Sequence, residues 1–190
     1  MMGLTVEKCL LAWTNSLRQM NAKADVVFYG DSLTYYGDFA SVFPNKKVCN
    51  LGLRGDTIQG MIDRIDQVLI LNPKVVYLMA GINDVGKKPI DEFESQYSFL
   101  VNSLVKNLPC VSLLIQSILP VNNKDFKVSC DNNQIKSCND RIKRIAEVFG
   151  LSFLDLYSLY EDEGQLPLMY TKDGIHLIPR AYDRWYHEIC

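Results

Sequence analysis

The amino-acid sequence predicts a three-layer α/β/α fold, in which a five-stranded parallel β-sheet is covered by helices on both faces. Five short segments are rich in apolar and β-branched residues and do not alternate between apolar and polar positions, which is typical of strands buried on both sides. Between most of these segments, apolar residues recur at the spacing of an amphipathic helix. Such alternation favours parallel strands joined by right-handed crossovers.

The predicted strands and helices follow one another along most of the chain. Strands are predicted over residues 25–29, 46–50, 75–80, 110–117 and 151–154. Helices are predicted near the amino terminus, over 58–69, 93–104 and 135–149, and after Pro179. Gly150 is suited to end the third of these helical repeats, because glycine readily adopts the left-handed conformation found after a helix. Two long segments rich in turn-forming and polar residues, 119–131 and 157–177, are predicted to be loops.

Length and composition bound the class of protein. A chain of 190 residues, 48% hydrophobic, is long enough for one well-buried core, so we expect a single domain over residues 1–190. The formal charge of -2 and the scattered basic residues argue against binding to nucleic acid or to anionic membranes. The oligomeric state is left open; a homo-oligomer is compatible with the sequence.

The sequence also carries expectations about location. No apolar stretch approaches the roughly 20 residues that a membrane-spanning helix needs. The first segment contains Glu7 and no small-residue cleavage site, so we expect no signal peptide. The six cysteines form no CxxC pair, and we expect most of them to act as small apolar residues in a reducing cytosol. We therefore predict a soluble, cytoplasmic protein.

The loops that follow the predicted strands carry the candidate chemistry. In an open parallel sheet these loops meet at one edge, where ligands bind. The first strand ends in Gly30-Asp31-Ser32, the second is followed by Arg54-Gly55-Asp56-Thr57, and the third by Gly81-Ile82-Asn83-Asp84. Each loop thus brings a polar side chain or a free backbone N–H to the same edge.

A fourth segment supplies an acid and a base. Asp173 precedes His176 by three residues, and Gly174 between them permits a sharp turn. The carboxylate can accept the imidazole Nδ1 proton and leave Nε2 free to activate a hydroxyl, so Ser32, His176 and Asp173 are predicted to form a catalytic triad. The Ser32 and Gly55 N–H groups and the Asn83 amide are the natural donors to the oxyanion formed in acyl transfer.

These four blocks resemble those of the SGNH, or GDSL, hydrolases. Gly30-Asp31-Ser32-Leu33 is similar to the nucleophile block of that family, Gly55 to its oxyanion glycine, Gly81-Ile82-Asn83-Asp84 to its asparagine block, and Asp173-Gly174-Ile175-His176 to its acid and base block. The resemblance spans residues 26 to 180. The chain is similar in size to the compact branch that includes platelet-activating-factor acetylhydrolase subunits, lysophospholipase-thioesterases and carbohydrate deacetylases.

The resemblance implies a flavodoxin-like sandwich and hydrolysis of carboxylic esters through an acyl-enzyme, with a small-molecule ester as substrate and without cofactor or metal. Two alternatives stay open: a non-catalytic ligand-binding domain of the same fold, and a metal-assisted phosphoesterase built on Asp31, Asp84, Asp173 and His176. For Asp31 and Asp84 we favour a supporting role in which both carboxylates accept hydrogen bonds from loop backbone. Because the two long loops are largely polar, we expect preference for short acyl chains.

Overall fold

The computed structural model describes residues 5–190, and its strands and helices alternate along most of the chain. The strands are β1 (Val26–Gly30), β2 (Val48–Gly52), β3 (Val75–Met79), β4 (Ser112–Gln116) and β5 (Ser152–Leu154). The helices are α1 (Val6–Gln19), α2 (Ser32–Tyr35), α3 (Phe39–Val42), α4 (Ile58–Asp63), α5 (Asp66–Leu71), α6 (Ile90–Asn107), α7 (Asn132–Val148), α8 (Leu156–Tyr160) and α9 (Tyr182–Ile189). A 3₁₀ turn, Pro179–Ala181, leads into α9.

The sheet confirms the predicted fold class. Its five strands are parallel and lie in the order β2-β1-β3-β4-β5. This order belongs to flavodoxin-like folds, in which ligands bind beyond the carboxyl ends of the strands, where the direction of winding reverses. Here that point lies between β1 and β3, so the loops after β1, β2 and β3 border it.

Both faces of the sheet are buried, as the continuous apolar strands predict. On β1, Val27 and Tyr29 belong to one apolar cluster, while Val26 and Phe28 belong to the other. The first cluster includes side chains of α4, α5, α6 and α7, and the second includes side chains of α2, α3, α8 and α9. Apolar burial on both sides, at roughly 25 cal/mol per Å², fixes the sheet between its two helical layers.

The register aligns the strand ends that carry the candidate loops. Gly30 pairs with Gly52 of β2 on one side and with Met79 of β3 on the other. A Cβ at position 30 would lie 2.0 Å from Thr34 Oγ1 and 2.8 Å from the Met79 carbonyl oxygen. Only glycine therefore allows the chain to turn from β1 into α2 this close to β3.

The second strand lies two residues later than predicted, because the prediction ended it at the polar residue Asn50. In the fold, the Asn50 amide donates to the carbonyls of Thr34 and Gly37 at 2.9 and 3.0 Å, and its side-chain oxygen accepts from the Gly52 N–H at 2.8 Å. These bonds satisfy the side chain within β2. The strand continues to Gly52 and thereby extends along β1 to its end.

The helix predicted over 58–69 is two helices. The first ends at Asp63, and Arg64 leaves helical geometry with φ −111° and ψ 16°. Arg64 is buried, at 3% exposure. An apolar repeat alone does not reveal this break, since Ile58, Met61 and Val68 still lie in one apolar cluster.

Other expectations need smaller corrections. The three short helices α2, α3 and α8 were not predicted, and α8 occupies the start of the expected 157–177 loop. Three of the six cysteines, Cys9, Cys110 and Cys190, are exposed, so the expectation that most are packed as apolar residues holds for only some of them. Across residues 5–190 no helix is both long and apolar enough to cross a membrane.

Candidate active site

Ser32 is the first residue of α2 and lies two residues after the end of β1. Asp31 precedes it as the helix N-cap, and its Oδ1 accepts a hydrogen bond from the Leu33 N–H at 2.9 Å. Ser32 itself is 7% exposed. The tight strand-to-helix turn therefore holds the serine hydroxyl at the carboxyl edge of the sheet, close to solvent but largely enclosed.

His176 and Asp173 meet Ser32 in a linear chain of hydrogen bonds. Ser32 Oγ lies 2.9 Å from His176 Nε2, across 144 residues of sequence. His176 Nδ1 lies 2.6 Å from Asp173 Oδ2. These partners assign the imidazole tautomer: Nδ1–H donates to the carboxylate, and Nε2 accepts from the serine hydroxyl.

Asp173 also organises the backbone around the histidine. Its Oδ1 accepts from the N–H groups of Ile175 and His176 at 2.9 and 2.8 Å. Burial raises the pKa of this partly exposed carboxyl, but the hydrogen bonds from the His176 ring and from the two N–H groups outweigh it and leave the pKa lowered. Asp173 is therefore ionised, as a carboxylate that orients an imidazole must be.

A compact turn before the histidine holds Asp173 in place. Thr171 Oγ1 accepts from the Gly174 N–H at 3.0 Å. Gly174 has φ +84°, and the Gly174 carbonyl accepts from the Asn122 N–H at 2.8 Å. A Cβ at Gly174 would lie 2.7 Å from the Asn122 carbonyl oxygen and 2.8 Å from Phe126 Cβ. Glycine is required here for both the backbone conformation and the space.

The two long loops hold each other and thus support this turn. Asn122 donates to the Leu166 carbonyl at 3.0 Å, and Leu166 N–H donates to the Val121 carbonyl at 3.1 Å. Gln165 Oε1 accepts from the N–H groups of Asn123 and Lys124. The two segments predicted to be long loops thus form one hydrogen-bonded layer beside the His176 segment.

The three candidate oxyanion donors come from three different loops. Within the described part of the chain, the N–H groups of Ser32 and Gly55 donate to no other protein group. Gly55 has φ +74°, and a Cβ there would meet nothing within 4 Å. Asn83 Nδ2 donates to the Asp56 carbonyl at 2.8 Å, which fixes the amide plane and leaves its second N–H for another acceptor.

Asp31 and Asp84 both lie beneath the site and bind loop backbone. Asp84 Oδ2 accepts from the Ile58 N–H at 3.0 Å, and its Oδ1 lies 2.8 Å from Lys88 Nζ. Asp31 uses only one oxygen, and its Oδ2 is buried without a hydrogen-bond partner among the described residues. Burial raises the pKa of Asp31 to about 7, aided by the charges of Asp56 and Asp84 and opposed by the Leu33 N–H and by Arg64.

The carboxylates of the alternative metal site are directed to separate partners. Asp31 caps α2, Asp84 binds the start of α4, and Asp173 binds His176. From residue 5 onward, no three His, Cys, Asp or Glu side chains come together in a way that could hold a metal ion.

Aromatic side chains border the histidine unequally. The Tyr36 ring stands edge-on to the His176 ring with centroids 5.6 Å apart, and the Arg54 guanidinium lies 5.7 Å from the Tyr36 centroid. Tyr35 packs edge-on to Tyr36 and is 51% exposed. Tyr170 instead contacts Tyr160 and Arg184. Of Tyr35, Tyr36 and Tyr170, Tyr36 is the one whose ring lies against His176.

Arg64 is the buried residue near the site that sequence reasoning missed. Its Nε lies 2.7 Å from Asp56 Oδ2, and its Nη2 donates to the Gly30 carbonyl at 3.1 Å. A signal was available: position 64 shares a helical face with Met61 and Val68, both fully buried. An arginine on an apolar face must find buried partners, and here it finds them in two of the candidate loops.

A model of the GDSL-like lipase/acylhydrolase family matches residues 28–184. A structure from Streptococcus pneumonia whose name refers to platelet activating factor is 24% identical with a TM-score of 0.82, over 97% of this chain and 94% of that one. A GDSL-like lipase from Bacteroides thetaiotaomicron is 23% identical with a TM-score of 0.78, over 98% and 96%.

An acetyl xylan esterase from Geobacillus stearothermophilus is 19% identical with a TM-score of 0.70, over 88% of this chain and 94% of that one. No protein with a curated description matches the chain. The solved structures therefore share the fold along nearly the whole chain at low identity.

Proposed function

This chain belongs to the GDSL-like lipase/acylhydrolase family, and we propose that it hydrolyses carboxylic esters of short acyl groups through an acyl-enzyme on Ser32. The observation that carries the proposal is the chain of hydrogen bonds from Ser32 Oγ through His176 to Asp173. We assign Ser32 as nucleophile, His176 as general base and Asp173 as the orienting acid. The activity is proposed for one domain formed by residues 1–190.

In the acylation step, Ser32 Oγ attacks the ester carbonyl carbon while its proton passes to His176 Nε2. Asp173 keeps the imidazole in the tautomer that can accept this proton and stabilises the resulting imidazolium. The carbonyl oxygen becomes an oxyanion, which would be bound by the Ser32 and Gly55 N–H groups and by the free N–H of Asn83. Collapse of this intermediate breaks the bond to the alcohol, which leaves with the proton from His176.

Deacylation repeats the same steps with water as the nucleophile. His176 takes a proton from the water, the oxyanion forms again in the same place, and the carboxylic acid leaves as Ser32 recovers its proton. The two unpaired backbone N–H groups and the fixed Asn83 amide support this assignment because such donors gain most when charge develops near them.

The proposal of short acyl groups rests on the loops beside the triad. The 119–131 and 157–177 segments are tied to each other through Asn122 and Gln165, so they form a supporting layer for the His176 turn. A pocket for a long chain would add roughly 0.8 kcal/mol for each buried methylene, and kcat/KM would then climb steadily with chain length. We expect the maximum at about two to six carbons, since the residues of these loops are largely polar.

Trapping of an acyl-enzyme tests the proposed reaction. The wild-type protein is mixed with p-nitrophenyl acetate, the burst of p-nitrophenol is recorded, and the quenched protein is digested for mass spectrometry. We expect one acetyl group on the peptide that contains Ser32. Ser41→Ala serves as a matched control, because Ser41 is an exposed serine that binds only the Asp38 carbonyl. A folded protein with neither turnover nor labelling would favour the non-catalytic alternative.

A homologous ester series tests the chain length. Values of kcat/KM for p-nitrophenyl esters from acetate to palmitate are measured below the micellar concentrations. A maximum at eight carbons or beyond would reject the short-chain assignment while leaving the acyl-enzyme mechanism intact.

A further inference from the structure

We propose that Arg64 is a positioning residue that holds the oxyanion donors of the site in register through its contacts with Asp56 and Gly30. The inference rests on the proposed function, because the donors matter only if an oxyanion forms. Arg64 lies outside the four sequence blocks and touches none of the proposed reacting atoms, so its action would be indirect.

The Arg64 guanidinium is enclosed and fully engaged. Its three nitrogens contact Asp56 Oδ2 at 2.7 Å, the Gly30 carbonyl at 3.1 Å and Gln67 Oε1 at 3.3 Å. Its Cζ lies 4.5 Å from the centroid of the Tyr29 ring. Gln67 is held in turn by a 3.2 Å hydrogen bond to Thr14 of α1. Each of the three nitrogens has an acceptor and one face of the group lies over an aromatic ring, which restricts its position.

Two of those partners connect Arg64 to all three proposed donors. Gly30 precedes Ser32 by two residues at the end of β1. Asp56 directly follows Gly55, and its carbonyl oxygen accepts the hydrogen bond that orients Asn83. A displacement of Asp56 would therefore move the Gly55 N–H and the Asn83 amide together. A displacement of Gly30 would move the Ser32 N–H relative to both.

The buried ion pair between Arg64 and Asp56 is better suited to fixing the geometry of the site than to stabilising the fold. Two buried charges lose their hydration, and the attraction between them often does little more than offset that loss. What the pair provides is direction, since a planar guanidinium binds two acceptors at a fixed angle and an ammonium does not. A shift of about 1 Å in catalytic groups can cost about 10²-fold in rate. We therefore expect the Arg64 guanidinium to affect kcat mainly through the placement of the oxyanion donors.

Asp56 responds to the loss of its partner in a predictable direction. Burial raises its pKa, and both the charge of Arg64 and the hydrogen bond from it work against that rise. Without Arg64, the carboxyl would take up a proton more readily, which reduces the cost of leaving it buried. A variant at position 64 can therefore retain the fold while losing the alignment of the oxyanion donors.

The experiment compares Arg64→Lys and Arg64→Met with the wild type on p-nitrophenyl acetate. The lysine keeps the charge but cannot hold Asp56 and Gly30 at the angle set by the guanidinium, so we expect kcat to fall about tenfold, with KM within about twofold. For Arg64→Met we expect kcat to fall by about 10²-fold. The matched control is Arg141→Met, which breaks the partly buried pair with Glu94 on the helices α6 and α7. It should leave kcat unchanged.

A double-mutant cycle separates positioning from general loosening. If Arg64 acts through the oxyanion donors, Arg64→Lys should cost clearly less in the Asn83→Ala background than the tenfold it costs alone, because one of the three donors that it aligns is already gone. If Arg64 supports the fold alone, its tenfold cost should multiply with that of Asn83→Ala. Thermal unfolding of each variant confirms that folded protein is compared, and Arg64→Lys serves alone if Arg64→Met does not fold.

The results distinguish a failure of the proposed esterase function from a failure of the positioning role of Arg64. Wild-type protein without esterase turnover would remove the proposed function and this inference with it. Active wild type with an unchanged kcat in folded Arg64→Lys, or with fully multiplicative losses, would overturn the positioning role and leave the esterase assignment untouched.

Discussion

The candidate site has two halves that are built in different ways. The half that carries the oxyanion donors lies at the ends of β1, β2 and β3, and its supporting groups Asp31, Arg64 and Asp84 are at most 3% exposed. The half that carries the acid and base is an irregular turn, in which the side chains of Asp173 and His176 are 54% and 35% exposed.

The range of their contacts differs in the same way. Arg64 reaches back 34 residues to Gly30, and Asp84 reaches back 26 residues to Ile58. Asp173 instead binds Ile175 and His176 within three residues of itself. The candidate oxyanion donors are thus held through buried long-range bonds, while the candidate acid and base lie in a turn that solvent can reach.

The two halves act as one unit if the triad assignment is right. Ser32→Ala and His176→Ala, one from each half, should each lower kcat by roughly 10³ to 10⁶, and the double variant should lose little more than either alone. His187→Ala is the control, because His187 is an exposed histidine of α9. Near-normal turnover in a purified, folded Ser32→Ala protein would remove the nucleophile from the proposal.

The buried half should show its role in kcat rather than in KM. Asn83→Ala is expected to lower kcat by about 10² to 10³, because the amide binds charge that exists only near the transition state. Asn107→Ala, at an exposed amide bound to the Ser103 carbonyl, should have no effect. A rise in KM alone would make Asn83 a substrate-binding residue and would contradict the oxyanion assignment.

The two halves should respond oppositely to pH. Asp31 has its pKa raised to about 7 by burial, so the folded state holds a proton that the unfolded chain releases near pH 4. Stability should therefore fall as pH rises from about 4 to about 7, by at most about 1.4 kcal/mol per pH unit. Asp173 has a lowered pKa, so its contribution is present at neutral pH and is lost only as pH falls below about 4.

Denaturant unfolding between pH 4.5 and 8 measures the Asp31 effect. In Asp31→Asn the free energy of unfolding should vary less with pH over that range, while Asp173→Asn should follow the wild-type slope. Parallel curves for wild type and Asp31→Asn would show that Asp31 is ionised in the folded protein throughout.

Gly55 and Gly174 both have left-handed backbone, and their alanine variants separate the cost of backbone strain from the cost of steric crowding. Gly55→Ala should cost about 1 to 2 kcal/mol of stability, since φ is +74° but the space is open. Gly174→Ala should cost more, because its Cβ would also press on Asn122 and Phe126. Thermal or denaturant unfolding compares the two. Equal losses would mean that the loop around Gly174 yields, and that the acid and base half is less tightly packed than described.

Sequence reasoning predicted the fold class and brought Ser32, Gly55, Asn83 and His176 to one edge of the sheet. It succeeded where several of the contacts are short, as in the turn from Thr171 to His176, in which Thr171 Oγ1 accepts from the Gly174 N–H and His176 Nδ1 contacts Asp173. It failed at Asn50 and Arg64, whose partners lie on other loops. A polar residue inside a strand or on an apolar helix face is explained only by the groups that the fold brings to it.

The distance along the chain between Ser32 and His176 also has a consequence for synthesis. Ser32 leaves the ribosome 144 residues before its proposed base His176, and α9 follows later still, with a Tyr182 hydroxyl that donates to the Leu33 carbonyl at 2.7 Å. A nascent chain can form β1 through β4 and still hold a serine with no base beside it. The proposed hydrolytic activity would then be gained in one step, when α9 packs onto the rest of the fold.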